Sequence, residues 1–120
     1  MQLLTHGQLA RLRTNGLQGL QMREDGRSFD PVPVVKLFTP DAACTWLLSE
    51  IDPEDDDIAY GLCDLGVGCP ELGSVRLSDL AAFRGKLGLP IERDRHASLT
   101  RPISAYAEMA YRHGHITLSL

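Results

Sequence analysis

Four short runs of strand-forming residues, separated only by turn residues, fill the middle of this chain and limit its fold more than any other feature. The runs cover residues 32–38, 44–51, 58–65 and 72–77. Proline, glycine and aspartate stand between them, which is the chemistry of tight turns between neighbouring strands. Because no helix intervenes, the sequence predicts an antiparallel meander and not parallel strand–helix–strand units.

Helical patterns stand on either side of this block. Thr5 and Gln8 have the spacing of a capping box, which predicts a helix over residues 6–14 that ends at Gly16. Residues 17–31 lack a clean period and are predicted to form a loop. Near the other end, apolar residues with helical spacing predict a helix that begins at Ile103 and stops at Gly114.

A further helix is predicted directly after the fourth strand. Ser78 is a suitable N-cap, and apolar residues with helical spacing continue from Leu80 to a stop at Gly88. Residues 89–91 are expected to pair at an edge of the sheet. The 120 residues are enough for one core. We therefore predict a single α+β domain over residues 1–120, with a mostly antiparallel meander sheet flanked by about three helices.

Acidic residues collect in the centre of the chain, where basic residues are absent. Residues 37–75 carry nine acidic side chains and no lysine or arginine. Such a polarised charge distribution affects what a protein approaches more than how it folds. We expect the acidic turn between the second and third strands to bind another protein. The expected contact residues are Asp52, Glu54, Asp55, Asp56 and Asp57.

The two large aromatic residues of the central strands extend this expectation. Trp46 and Tyr60 lie on adjacent predicted strands and are expected to stack across the sheet. They belong to the core if their face of the sheet is covered by other elements. If that face of the sheet is exposed, Trp46 is expected to anchor the protein that the acidic turn binds.

A small hydrolase or metal-dependent enzyme is the competing interpretation. Clustered carboxylates in residues 52–57 suit Ca²⁺ or Mg²⁺, although they lack the ligand spacing and central glycine of an EF-hand. Such an enzyme would need His96 or Cys69 to be brought close by folding. His113 and His115 have no third metal ligand specified nearby. We expect no metal, no cofactor and no catalytic residue.

A nucleic-acid-binding module is the second alternative. A group of basic residues follows the fourth strand, although no DNA-binding or RNA-binding motif accompanies it and Glu92 and Asp94 interleave with it. Binding to phosphates would use Arg84, Lys86, Arg93, Arg95 and Arg101.

The cysteine content indicates a reducing compartment. Cys44, Cys63 and Cys69 form an odd and sparse set, unlike the disulfide framework of a small secreted protein. The sequence shows no export signal and no apolar run long enough to cross a membrane. We expect a cytoplasmic protein that does not bind membranes, with only Cys69 placed for thiol chemistry.

Seven segments of the chain together resemble a known bacterial family. They are PVVKLFTPD at 33–41, TWLL at 45–48, EID at 50–52, GLCDLG at 61–66, PELG at 70–73, LSDL at 77–80 and RGKLGLPIERD at 84–94. The family is domain of unknown function 2958, and the resemblance covers most of the chain. It implies no catalytic residues. It does imply a gene of mobile genetic elements such as plasmids.

Charge, size and resemblance lead to one functional expectation. We expect a small, non-enzymatic accessory protein of a mobile element that binds another protein and modulates a host nucleic-acid-handling or defence complex. The acidic turn would compete for a basic surface of that complex.

Overall fold

Five antiparallel strands form the centre of the structure, a computed structural model that describes residues 3–119. The elements, in chain order, are α1 (His6–Glu24), β1 (Val35–Phe38), β2 (Thr45–Asp52), β3 (Asp55–Asp64), β4 (Glu71–Arg76), α2 (Leu77–Ala82), β5 (Glu92–Arg93) and α3 (Ile103–His113). The strands are arranged in the order β4-β3-β2-β1-β5. This confirms the predicted α+β fold and its antiparallel meander.

The central strands are buried on both faces. Leu48 and Ile51 of β2 pack with Leu12 of α1, whereas Leu47 of β2 packs with the apolar face of α3. Successive residues of a strand point to opposite faces, so β2 contributes to both apolar clusters. The fold therefore has two hydrophobic cores, one on each side of the sheet.

α1 is ten residues longer than the sequence predicts, because it continues through Gly16 to Glu24. Gly16 is buried, and a Cβ atom at this position would overlap the carbonyl oxygen of Ile51. The glycine thus allows the helix backbone to touch the β2 backbone, and the prediction that it ends the helix was wrong. Asn15 strengthens the contact, since its side-chain amide donates a 2.9 Å hydrogen bond to the Ser49 carbonyl oxygen.

The second predicted helix is shorter than expected. α2 ends at Ala82, not at Gly88, and Arg76 occupies its N-cap position. Ser78 instead forms hydrogen bonds with Asp57, so the prediction that it caps the helix was wrong. α3 begins at Ile103 and ends at Gly114 in the left-handed conformation, as predicted. The strand at the sheet edge is β5, which pairs with β1 directly after the predicted residues 89–91.

Two of the flanking segments are held by carboxylates distant in sequence. Asp64, at the end of β3, is buried and accepts hydrogen bonds of 2.9 Å from the backbone amides of Gly66 and Ile116. Asp30 accepts from the amide and hydroxyl of Ser104 in the first turn of α3. None of the helices in residues 3–119 is long and apolar enough to cross a membrane.

Gly16→Ala is expected to destabilise the protein by at least about 2 kcal/mol, because the added methyl group must push α1 away from β2. Gly7→Ala is the matched control. Gly7 lies in the same helix with open space around it, so alanine there should stabilise the protein by about 0.5–1 kcal/mol. Urea unfolding of both variants measures the difference. Equal stability of Gly16→Ala and the wild type would contradict the close backbone contact.

Candidate functional site

A cleft of about 720 Å³ opens between the end of α1 and the β2–β3 hairpin. The helix side carries Arg23, and the segment after the helix adds Phe29. The hairpin side carries acidic residues at and near its tip. The full lining is Leu20, Arg23, Arg27, Ser28, Phe29, Glu50, Asp52, Pro53, Glu54, Ile58, Tyr60 and Ser74. Its volume is within the range of about 300–1,000 Å³ typical of ligand sites.

Glu50 is the buried carboxylate of this cleft. Only 8% of the residue is exposed. Its nearest cationic group is Nη1 of Arg23, which lies 3.7 Å from Oε2, longer than a hydrogen bond. Burial raises the pKa of Glu50 above its ordinary value of 4.5, although the Arg23 guanidinium acts in the opposite direction. The fold thus places an acidic group where its charge is poorly solvated.

A β-bulge sets the direction of the Glu50 side chain. Leu48 is opposite Gly61, whereas Glu50 is opposite Tyr60, so Ser49 is the extra residue of β2. The Ser49 hydroxyl donates a 3.1 Å hydrogen bond to the carbonyl oxygen of Tyr60. This stabilises the irregular pairing and keeps Glu50 beside Tyr60.

Tyr60 and Ser74 complete a row of side chains across three strands. Tyr60 is opposite Glu50 in β2 on one side and Ser74 in β4 on the other. The tyrosine is 37% exposed. Burial, followed by the nearby Glu50 carboxylate, raises the pKa of its hydroxyl above 10.0. The cleft therefore offers an accessible aromatic ring and a neutral hydroxyl next to a carboxylate.

The predicted acidic surface divides into two parts. Asp52 and Glu54 are exposed at the hairpin tip and line the cleft. Asp52 Oδ1 accepts a 2.9 Å hydrogen bond from the Glu54 amide, which shapes the turn. Among residues 3–119, no lysine, arginine or histidine nitrogen lies within 4.0 Å of either carboxylate.

The other three acids of the turn are bound within the fold. Asp56 pairs with Arg13 of α1 at 3.2 Å. Asp55 and Asp57 pair with Arg76 at 3.7 and 3.4 Å. Asp57 also accepts hydrogen bonds from the amide and hydroxyl of Ser78, at 2.9 and 2.6 Å. The hydroxyl of Ser78 is the main cause of the lowered pKa of Asp57. These three residues connect the hairpin to both neighbouring helices.

Trp46 does not reach the surface. It is 5% exposed and belongs to the core on the α1 side of the sheet. Its partner across the sheet is Cys63, not Tyr60, so the predicted stacking of Trp46 on Tyr60 was wrong. Trp46 therefore offers no contact area to a partner.

The residues considered for catalysis remain apart. Within residues 3–119, no group of three or more histidine, cysteine, aspartate or glutamate side chains is arranged to hold a metal ion. His113 Nε2 lies 3.2 Å from the sulfur of Met109, and His115 Nδ1 lies 3.1 Å from the His113 carbonyl oxygen. Burial raises the pKa of Cys63 to about 11, which keeps this thiol protonated. Cys69 is exposed in the loop between β3 and β4.

The residues considered for nucleic-acid binding have mixed surroundings. Arg84 donates to the carbonyl oxygens of Ala81 and Phe83, and thus binds the end of α2. Arg93 and Arg95 line a second cleft of about 350 Å³, together with Phe38, Glu92, Asp94 and His96. Lys86 and Arg101 are exposed. Because acidic residues share the second cleft, its charge is mixed.

Glu50, Arg23 and Ser74 were not predicted to be parts of a site. Glu50 had a detectable signal, since it is the one charged residue in the run from Trp46 to Ile51. Arg23 had none, because it falls in the segment that was predicted to be a loop.

Asp57→Asn is expected to lower the melting temperature at neutral pH more than Asp56→Asn, whose ion pair with Arg13 is exposed and weakly stabilising. The Asp57 pKa is lowered from 3.8 in the folded state. Its stabilisation is therefore complete above the unfolded pKa and is lost as pH falls through the folded value. Thermal unfolding followed by circular dichroism should show the difference between Asp57→Asn and wild type shrinking below pH 3.8. A difference that stays constant with pH would contradict the role of the ionised carboxylate.

Comparison with known proteins identifies the family. A family model described as "Protein of unknown function (DUF2958)" matches residues 3–117. No curated protein and no solved structure matches the chain. Since the family model covers nearly the whole chain, the protein belongs to the DUF2958 family.

Proposed function

We propose that this protein is a non-enzymatic binding module that recognises a basic surface of another protein with the tip of its β2–β3 hairpin. The proposal rests on the exposure of Asp52 and Glu54 and on their lack of a cationic neighbour in the described part of the chain. Both are exposed, and neither has a cationic neighbour within 4.0 Å in the described part of the chain. The other acids of the hairpin already have partners in the fold.

The position of these two carboxylates suits recognition of a cationic partner. They lie at the end of the longest pair of strands, and the neighbouring ion pairs of Asp55, Asp56 and Asp57 hold this hairpin against α1 and α2. A rigid support lowers the entropy that is lost when a partner binds. Charges at the rim of an interface mainly raise the association rate and make it depend on salt.

The family resemblance suggests a setting for such binding. On a mobile genetic element, a cytoplasmic protein of this kind would bind a host nucleic-acid-handling or defence complex. Proteins that bind nucleic acids present arginine and lysine to phosphate groups. An acidic hairpin would compete for these side chains and so modulate the complex.

The test is capture of partners by the tagged protein in a lysate of a bacterial host, followed by mass spectrometry. The test variant is Asp52→Asn with Glu54→Lys, because asparagine keeps the acceptor that shapes the turn. The control is Glu71→Gln with Glu108→Lys, which makes the same change in net charge at exposed positions on β4 and α3. We expect the partner to be retained by the wild type and the control and lost from the test variant.

Binding to the purified partner should then weaken as salt concentration rises, more steeply for the wild type than for the hairpin variant. Equal retention of every partner by the hairpin and control variants would overturn the proposal. Recovery of no partner in any sample would also count against it and would direct attention to substrate and metal screens.

A further inference from the structure

We propose that the cleft beside Glu50 binds one arginine side chain of the partner protein, with the guanidinium against the Glu50 carboxylate and the Tyr60 ring. This inference rests on the proposed function and specifies its chemistry. Glu50 and Tyr60 would bind the arginine inside the interface, whereas Asp52 and Glu54 form the rim of the same cleft.

Glu50 is a largely buried carboxylate held by one loose ion pair. Buried carboxylates normally accept several hydrogen bonds, because an ionised group without them is costly to bury. Within residues 3–119, the cation paired with Glu50 is the Arg23 guanidinium, at 3.7 Å. Only 8% of the residue is exposed, yet it lines an open cleft. A guanidinium that entered the cleft would add hydrogen bonds to this single ion pair.

Close packing on the α1 side sets the direction from which a ligand can reach this carboxylate. A Cβ atom on Gly19 of α1 would lie 2.9 Å from both Glu50 Oε2 and Phe29 Cδ2, so the helix side has no room for a further group. Arg23 is more than half exposed and contacts Glu50 from the side of the helix. A second guanidinium can therefore approach from the open cleft and bind the carboxylate through two parallel N–H groups.

The aromatic lining of the cleft favours arginine over lysine. A guanidinium is planar and weakly hydrated, so it can stack on an aromatic ring while it pairs with a carboxylate. Tyr60 offers such a ring directly opposite Glu50 in the neighbouring strand, and Phe29 also lines the cleft. A lysine ammonium has no planar face for this contact. The acidic rim adds attraction for either cation.

The charges of the cleft agree with a cationic ligand. Glu50, Asp52 and Glu54 outnumber Arg23 and Arg27 among its lining residues, and Arg27 also pairs with Asp25 at 3.3 Å. One additional positive charge would bring the cleft to neutrality.

The experiment is a titration of the full-length, ¹⁵N-labelled protein with acetyl-arginine amide, followed by NMR. We expect chemical shifts that saturate and that centre on the amides of Glu50, Tyr60 and Ser74. Acetyl-citrulline amide has nearly the same shape without the charge, and we expect it to bind at least about tenfold more weakly. Nα-acetyl-lysine amide, which keeps its charged side chain, should bind less tightly than the arginine compound. Equal binding of arginine and citrulline compounds, or shifts centred elsewhere, would overturn the inference.

Variants locate the binding in the cleft. Glu50→Gln should weaken arginine binding at least about tenfold. Because burial raises the pKa of Glu50, loss of its charge should leave stability at neutral pH unchanged or higher. Ser74→Lys, at an exposed position opposite Tyr60, should also abolish binding by placing a cation in the cleft. Glu71→Gln, on the same strand outside the cleft, is the control and should bind like the wild type. Unchanged binding by either cleft variant would refute the site.

The outcomes separate this inference from the proposed function. If acetyl-arginine amide does not bind but the hairpin variant still loses its partner, the arginine site is wrong and the hairpin interface stands. If the compound binds in the cleft but the hairpin variant retains its partners, the hairpin interface is wrong. The cleft would then bind arginine without a contribution from the hairpin tip.

Discussion

The contact between the backbones of α1 and β2 determines the rest of this structure. β1 pairs with β2 only as far as Leu48, so the second half of β2 has no strand on that side. α1 takes this position, with Gly16 against Ile51 and the Asn15 side chain on the carbonyl group of Ser49. An exposed strand edge presents unpaired backbone groups, and a helix laid along it protects them. The same helix carries Arg23, which pairs with Glu50 at 3.7 Å and lines the cleft.

The parts of the fold that the sequence predicted are those whose signals are local. The meander follows from turn residues between strand-forming runs, and α3 follows from its apolar period. The wrong predictions concern residues whose role depends on a contact with a residue that is distant in the sequence. Gly16 is a common helix terminator, yet packing on Ile51 carries the helix past it. Ser78 is a common N-cap, yet it binds Asp57, which lies 21 residues earlier in the chain.

The acidic surface shows the same division. Composition identified the acidic turn, but it could not separate the acids that stay exposed without a cationic neighbour from the acids that are paired within the fold. Arg13 is 43 residues from Asp56, and no local pattern predicts their pairing. Nor could alternation along β2 predict that Glu50 lies beside Tyr60, because that neighbourhood depends on an irregular strand pairing. The sequence shows how many acidic residues the hairpin has, and only the structure shows which of them are already paired with basic residues.

The extra residue at Ser49 acts as a shift in the phase of β2. In a regular strand Glu50 would share a face with Leu48, and its carboxylate would enter the apolar cluster around Leu12. The bulge moves Glu50 to the face of Tyr60 and returns Ile51 to the core. Because the bulge absorbs Ser49, Leu48 and Ile51 both lie in the core while Glu50 faces the cleft. A β2 strand one residue shorter, without Ser49, would place the same side chains on the same two faces by regular alternation, so the length of this strand can vary here without loss of the cleft.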